Sequence, residues 1–242
     1  MGRPDEHVER SIRDFTSDLV AALGAQLGCL ALHGSAAGED WLEGRSDLNS
    51  VVVLDSVDGP ALEAMAPVVG RWQRRRFAIP MVIDAGFLDR ARDTFPMELD
   101  DIRRQHRVLA GSDLLADVTL DPEALRRQCE QEARGKLLRL RALFLSTGGA
   151  PTALERLMVE SLKGVLIVLR HTLRLAGATP GQRYADALEA AAERLGPLPV
   201  LAMLLEHRQA GGRLVPPNLH ASFHALLGEM ERVIDALDAL GA

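Results

Sequence analysis

The N-terminal half of the chain alternates between amphipathic stretches and short, uninterrupted apolar runs. Between Asp5 and Leu27, apolar residues recur every three or four positions, which predicts a helix with one buried stripe. Two apolar runs, Cys29 to His33 and Asp47 to Leu54, are bounded by turn-forming residues and predict strands buried on both faces. A helix that opens at Asp58 and ends in the basic run Arg71 to Arg76 follows them.

A third apolar run, Phe77 to Ile83, predicts a strand, and Pro80 within it indicates a sheet edge because proline cannot donate to a strand ladder. We predict a short helix from Phe87 to Ala91. For the segment Phe95 to Gly111 we expect an extended start and a helical end.

The pattern changes from Asp121 onwards, where the helical spacing of apolar residues continues almost to the end of the chain. This half is therefore predicted to be an all-α helical bundle, and we divide the chain into domains at residues 1–118 and 119–242. The predicted helices span residues 121–146, 151–176, 184–195, 198–209 and 219–240.

Composition narrows the class of protein. The chain is 47% hydrophobic and 26% charged, as in globular proteins with a real core. The net charge of −6 argues against long nucleic acid as a partner, since that requires a basic surface. The charged N-terminus does not resemble a signal peptide, and no apolar run is long enough for a membrane span. Cys29 and Cys129 belong to no metal-ligand pair, so we expect buried thiols and a cytoplasmic protein.

Candidate chemistry gathers between the first two strands. Gly34-Ser35 follows the first strand, and about a dozen residues later Ser46-Asp47-Leu48-Asn49 precedes the apolar run of the second. This arrangement resembles the nucleotidyltransferase signature of the DNA polymerase β superfamily, which includes the aminoglycoside nucleotidyltransferases. The resemblance implies a small mixed sheet flanked by helices (α+β or α/β), followed by an all-α helical bundle.

In that family the Gly-Ser turn holds a nucleoside triphosphate and two acids one residue apart hold Mg²⁺. The resemblance therefore implies that Gly34 and Ser35 bind the nucleotide, with Arg45 as a further phosphate partner. It assigns Asp47 to metal binding and catalysis, although an acid that caps a turn before a strand is an equal alternative. Asn49 stands where the second acid belongs and departs from the pattern: an amide oxygen can coordinate magnesium but brings no charge.

The family's third acid lies on a neighbouring strand, but the run Phe77 to Ile83 contains none. Asp84 could replace it as a metal ligand if the strand bends. Glu98 could do so from the next segment, as third ligand or as base, and Asp100 is a further candidate. Each of these acids is better explained as a solvated surface residue, and Glu98 is the most interesting of them.

The sequence thus favours a nucleotidyltransferase-fold protein with a degenerate metal site, in which transfer of a nucleoside monophosphate to a hydroxyl is weakened or lost. The first alternative is an active Mg²⁺-dependent nucleotidyltransferase that acts on a small molecule or a protein. The second is a purely binding or regulatory scaffold, and a homodimer fits that role. The third alternative is that the motif is a coincidence and that the chain is an unrelated binding protein with an α/β part and a helical part.

Overall fold

The computed structural model of the protein describes residues 3–212, 214 and 218–241. The chain divides into two compact units, Met1–Ala124 and Leu125–Ala242. The elements occur in the order α1 (Glu6–Leu23), β1 (Leu27–His33), β2 (Asn49–Leu54), α2 (Gly59–Gln73), β3 (Met81–Asp84), α3 (Ala85–Arg90), α4 (Pro96–Arg104), β4 (His106–Gly111), α5 (Pro122–Ser146), α6 (Pro151–Leu175), α7 (Tyr184–Leu195), α8 (Pro199–Ala210) and α9 (Leu219–Ala239).

The strands of the N-terminal unit pair in the order β3-β2-β1-β4. β1 runs antiparallel to both β2 and β4, whereas β2 and β3 are parallel, so the sheet is mixed. β3 lies at the edge, as Pro80 predicted. The strand begins only after this proline, because Pro80 has no N–H to donate to a ladder.

Both faces of the sheet are covered by helices, which explains the uninterrupted apolar runs of β1 and β2. One face packs against α1 and α2, and the other against α3 and α4. Alternate residues of each strand point to opposite faces. On the α1 side these are Leu30, Leu32, Val52 and Leu54, and on the α4 side Cys29, Ala31, Val51 and Val53.

The segment after β3 corrects the sequence prediction. Phe95 to Gly111 was expected to be extended first and helical afterwards, but α4 comes first and β4 second. Pro96 at the first helical position suits a helix start. The residues from His106 onwards are extended because they pair with β1, a partner more than 70 residues earlier in the chain.

The C-terminal unit is helical, as predicted, with α6 lying against α7, α8 and α9. The apolar stripe of α6 is almost completely buried, including Leu154, Met158, Leu162 and Leu166. The predicted fold class, a small mixed sheet flanked by helices and followed by a helical region, is confirmed. The division at residues 118 and 119 stays a prediction. Within the described residues, no helix combines the length and the hydropathy needed to cross a bilayer.

Candidate functional site

The end of β1 and the start of β2 lie side by side at one edge of the sheet. His33 pairs with Asn49 across the two strands. Residues Gly34–Ala36 then form a 3₁₀ turn, which Gly34 enters with a left-handed φ of 68°. A Cβ on Gly34 would lie 3.7 Å from Asn49 Nδ2. The structure therefore brings the Gly-Ser turn and Asn49 together, with Ser35 within the same turn.

A second glycine shapes the connection that follows this turn. A Cβ on Gly38 would lie 1.3 Å from Gln105 Nε2, so any other residue at position 38 would displace the Gln105 side chain. Gln105 lies between α4 and β4. Gly38 thus allows the connection to approach the α4 side of the sheet closely.

Asp47 is held at the start of β2 by a fixed turn. Ser46 is buried, its N–H donates to Leu42 O at 2.8 Å, and its Oγ accepts from Leu42 N at 3.0 Å. The side chain of Asp47 itself is 61% exposed. Asn49 Nδ2 donates to the backbone oxygen of Asp47 at 3.4 Å. The fold does not bury the Asp47 carboxylate, which leaves it available to a ligand.

Arg76 is the cationic partner of Asp47, with Nε 3.5 Å from Oδ1. Its guanidinium also donates to Gly44 O, and its backbone oxygen accepts from Leu48 N at 2.9 Å. Arg76 has a φ of 66°, a left-handed conformation that is unfavourable for a residue with a side chain. Together with Trp41, it also lines a cavity of about 420 Å³ on the α1 side of β2.

The acids proposed as replacements for the third carboxylate lie in other places. Asp84 pairs with Leu54 at the opposite end of β2 from Asn49. Its Oδ1 accepts from Phe87 N at 2.7 Å and so caps α3. Glu98 lies on the exposed side of α4. Asp100, only 1% exposed, accepts hydrogen bonds from arginines one turn later in the same helix.

The segment beside Asn49 is where a third acid would be needed. This segment comprises residues 76–80. Leu48 N donates to Arg76 O, and Leu48 O accepts from Ala78 N, each at 2.9 Å. Pairing resumes at Val51 with Met81. Ile79 and Pro80 therefore run alongside Asn49, and Ile79 is 71% exposed. An apolar side chain thus occupies this stretch.

The donor set does not fit a divalent metal. At the start of β2, Asp47 supplies a carboxylate and Asn49 supplies only an uncharged amide. Within residues 3–212, 214 and 218–241, no group of three His, Cys, Asp or Glu side chains is placed to hold a metal ion. Mg²⁺ is typically held through carboxylates together with substrate phosphates. At the start of β2 that carboxylate is Asp47, which is already paired with Arg76.

A row of polar side chains that the sequence analysis missed crosses the same edge. Asn49, His33 and His106 pair in register on three adjacent strands. His106 Nδ1 lies 2.9 Å from Ile102 O, and its Nε2 lies 3.1 Å from both carboxylate oxygens of Asp113. Both ring nitrogens of His106 therefore have a hydrogen-bond partner.

The pKa of Asp113 lies below its usual value. Partial burial acts to raise it, but the backbone N–H of Leu115, the His106 side chain and the N–H of Ala116 together outweigh that effect. The row exists because β4 pairs with β1. No local signal in the sequence around position 106 marks it, since that segment reads as a basic helix end.

Comparison with known proteins supports the fold. No protein-family model and no curated protein sequence matches the chain. Among solved structures, the chain is similar to spectinomycin adenyltransferase AAD(9) from Enterococcus faecialis, whose crystal structure holds ATP and spectinomycin. The two share 13% identity with a TM-score of 0.59, over 92% of this chain and 99% of the other. The chain therefore has an aminoglycoside nucleotidyltransferase-like fold.

Proposed function

We propose that this protein binds a nucleoside triphosphate at the Gly34-Ser35 turn and that its transfer of a nucleoside monophosphate to a hydroxyl acceptor is weakened or lost. The observation that carries the proposal is the pairing of an intact turn with an incomplete set of acids. Gly34 meets Asn49 at the sheet edge, but the neighbouring segment offers Ile79 where an acid is needed.

The nucleotide half of the proposal rests on the turn. Gly34 carries no side chain and adopts a left-handed backbone, which lets phosphate oxygens approach the main chain closely. The Ser35 hydroxyl and neighbouring amides are suitable donors. The similar adenyltransferase was crystallised with ATP, which is consistent with a triphosphate ligand here. Arg45, in the exposed turn before Asp47, stays a candidate phosphate contact.

The loss of transfer follows from the charge at the site. Nucleotidyl transfer in this fold requires stabilisation of the attacking and leaving oxygens, which paired metal ions supply when carboxylates hold them. Asn49 and Ile79 bring no charge. A deficit of only about 1.4 kcal/mol in stabilisation of the transition state already slows a reaction about tenfold. The loss of two carboxylates would therefore slow the transfer reaction by far more than tenfold.

The acceptor, if any reaction survives, is a hydroxyl of a small molecule or a protein. Spectinomycin, present in the similar structure, is the obvious first probe. The two free cysteines, Cys29 and Cys129, are both buried, which fits a reducing compartment, and we propose a cytoplasmic location.

The test combines binding with transfer. The protein is titrated with each labelled nucleoside triphosphate, and transfer to spectinomycin is followed with Mg²⁺ present, in wild type, Asp47→Ala and Asn49→Asp. We expect triphosphate binding in wild type, with transfer absent or weak, and a gain of transfer in Asn49→Asp. Rapid wild-type transfer that disappears in Asp47→Ala would instead establish an active enzyme. Failure of every variant to bind any triphosphate would refute the proposal.

A further inference from the structure

We infer that the Arg76 guanidinium takes the place of a metal ion beside Asp47, so that triphosphate binding by this chain does not require a divalent cation. The inference rests on the proposed function and concerns the same site. It starts from the mismatch described above: the donor set at the start of β2 does not suit Mg²⁺, yet a cation is present there.

The position of Arg76 is determined by three contacts at the start of β2. Its Nε lies 3.5 Å from Asp47 Oδ1, its Nη1 donates to Gly44 O, and its backbone oxygen accepts from Leu48 N. Gly44 and Leu48 flank Asp47 in the chain, so Arg76 is held on both sides of the acid. These contacts place the guanidinium beside the Asp47 carboxylate.

Charge explains why a cation is needed at this position. A triphosphate and the Asp47 carboxylate are both anionic, so without a positive charge between them Asp47 would repel the ligand. Guanidinium remains charged at every physiological pH, and its fork of donors matches both carboxylate and phosphate oxygens. Arg76 can neutralise Asp47 and still present further N–H groups to a phosphate, because its side chain is 48% exposed.

The backbone at Arg76 supports a specific role for the side chain. Its φ of 66° falls in the left-handed region, where glycine or asparagine is favoured. Among the described residues of the chain, Arg76 is the one non-glycine residue with a positive φ. Strained backbone of this kind persists where the surrounding structure requires it. Here that structure is the turn that carries the guanidinium to Asp47.

The experiment measures ATP affinity by calorimetry, once with excess EDTA and once with MgCl₂. The variants are Arg76→Asn, chosen because asparagine tolerates a left-handed backbone, and Asp47→Asn. Arg74→Asn is the matched control, since it removes the same charge two residues earlier in the same basic run. Circular dichroism checks that each variant is folded, and Arg76→Gly, which also suits a positive φ, replaces Arg76→Asn if that variant is not.

We expect the wild-type Kd to agree within about twofold with and without magnesium, and Arg76→Asn to raise the Kd in EDTA by about tenfold or more, as for loss of a charged hydrogen bond. Asp47→Asn should bind ATP in EDTA at least as tightly as wild type, because a repulsive charge is removed. Arg74→Asn should leave the Kd unchanged.

Two results would overturn the inference in different ways. Wild-type binding that requires Mg²⁺ and disappears in Asp47→Asn would show that Asp47 holds a metal, which refutes the role of Arg76 and leaves the proposed function intact. ATP binding by no variant, under either condition, would refute both. Equal losses in Arg76→Asn and Arg74→Asn would show only a general effect of charge and would also contradict the inference.

Discussion

One carboxylate from each unit, Asp47 in the N-terminal unit and Glu229 in the helical unit, shows two opposite environments. In the N-terminal unit, Asp47 is 61% exposed at the start of a strand, and its ion-pair partner Arg76 is also half-exposed. In the helical unit, Glu229 is only 2% exposed, and its two oxygens accept from Val200 N at 2.8 Å and Leu201 N at 2.9 Å. Glu229 therefore caps α8, whereas the Asp47 carboxylate forms an exposed ion pair.

The contrast shows how to separate structural from functional acids in this chain. Burial raises the pKa of Glu229, although the N–H groups of Val200 and Leu201 and the charge of Arg232 act in the opposite direction. Burial of this carboxylate is offset because the first amides of α8 would otherwise lack a hydrogen-bond acceptor. The ion pair of Asp47 is exposed on both sides, and exposed ion pairs typically contribute little to folding.

The largest expected effect that tests this contrast is the loss of the buried cap. Glu229→Ala removes the acceptor for two buried N–H groups, so we expect the free energy of unfolding to fall by about 3 kcal/mol. Urea denaturation followed by circular dichroism measures it. Glu231→Ala, two residues later in α9, is the control: it removes only an exposed ion pair with Arg141 and should change stability by less than about 0.5 kcal/mol. Equal effects would contradict a capping role for Glu229.

The pH dependence of Glu229 sharpens the same point. The pKa of Glu229 in the folded state is raised above the ordinary 4.5. The part of the stability that comes from keeping this carboxyl protonated is therefore complete below that value and is lost as pH rises through the raised pKa. Wild type should therefore lose stability relative to Glu229→Gln, which stays neutral, as pH rises from 4.5 through the raised pKa. Unfolding free energies of both proteins across this range test the sign. A difference that grows in favour of wild type with rising pH would contradict it.

Asp113 tests an intermediate case, a half-exposed acid at the edge of the candidate site. It accepts from Leu115 N at 3.0 Å, Ala116 N at 3.1 Å and the His106 ring. Asp113→Ala should cost about 1 kcal/mol of stability near neutral pH. Because the folded-state pKa is lowered, this contribution is present above the ordinary value of 3.8 and is lost as pH falls through the lowered value. Urea midpoints of both proteins, measured down to acid pH, should converge; a constant gap would argue against the carboxylate.

The smallest effect on folding is expected at Asp47. Its ion pair with Arg76 is exposed on both sides, so Asp47→Ala should change the free energy of unfolding by less than about 0.5 kcal/mol. The same urea denaturation measures it. A destabilisation as large as that of Glu229→Ala would remove the distinction between these two acids and would make Asp47 a structural acid.

Local pattern was sufficient for much of this protein. Helical periodicity identified α5 to α9 within a residue or so of their ends, because each stripe must be buried regardless of which helix covers it. The apolar runs of β1 and β2 identified the central strands for the same reason. The antiparallel pairing of these strands, seen in the structure, brings the end of β1 beside the start of β2.

Other features were decided only by contacts between distant parts of the chain. β4 is a strand because β1 offers it a pairing edge, and its own sequence favoured a helix. Asp84 lies far from Asn49 because the parallel register of β3 carries it to the other end of β2. The Arg76–Asp47 pair depends on a left-handed arginine, which no local preference predicts. The sequence by itself determined which segments are buried, because burial follows from periodicity; the tertiary structure decided which charges meet, because strand register and backbone conformation place them.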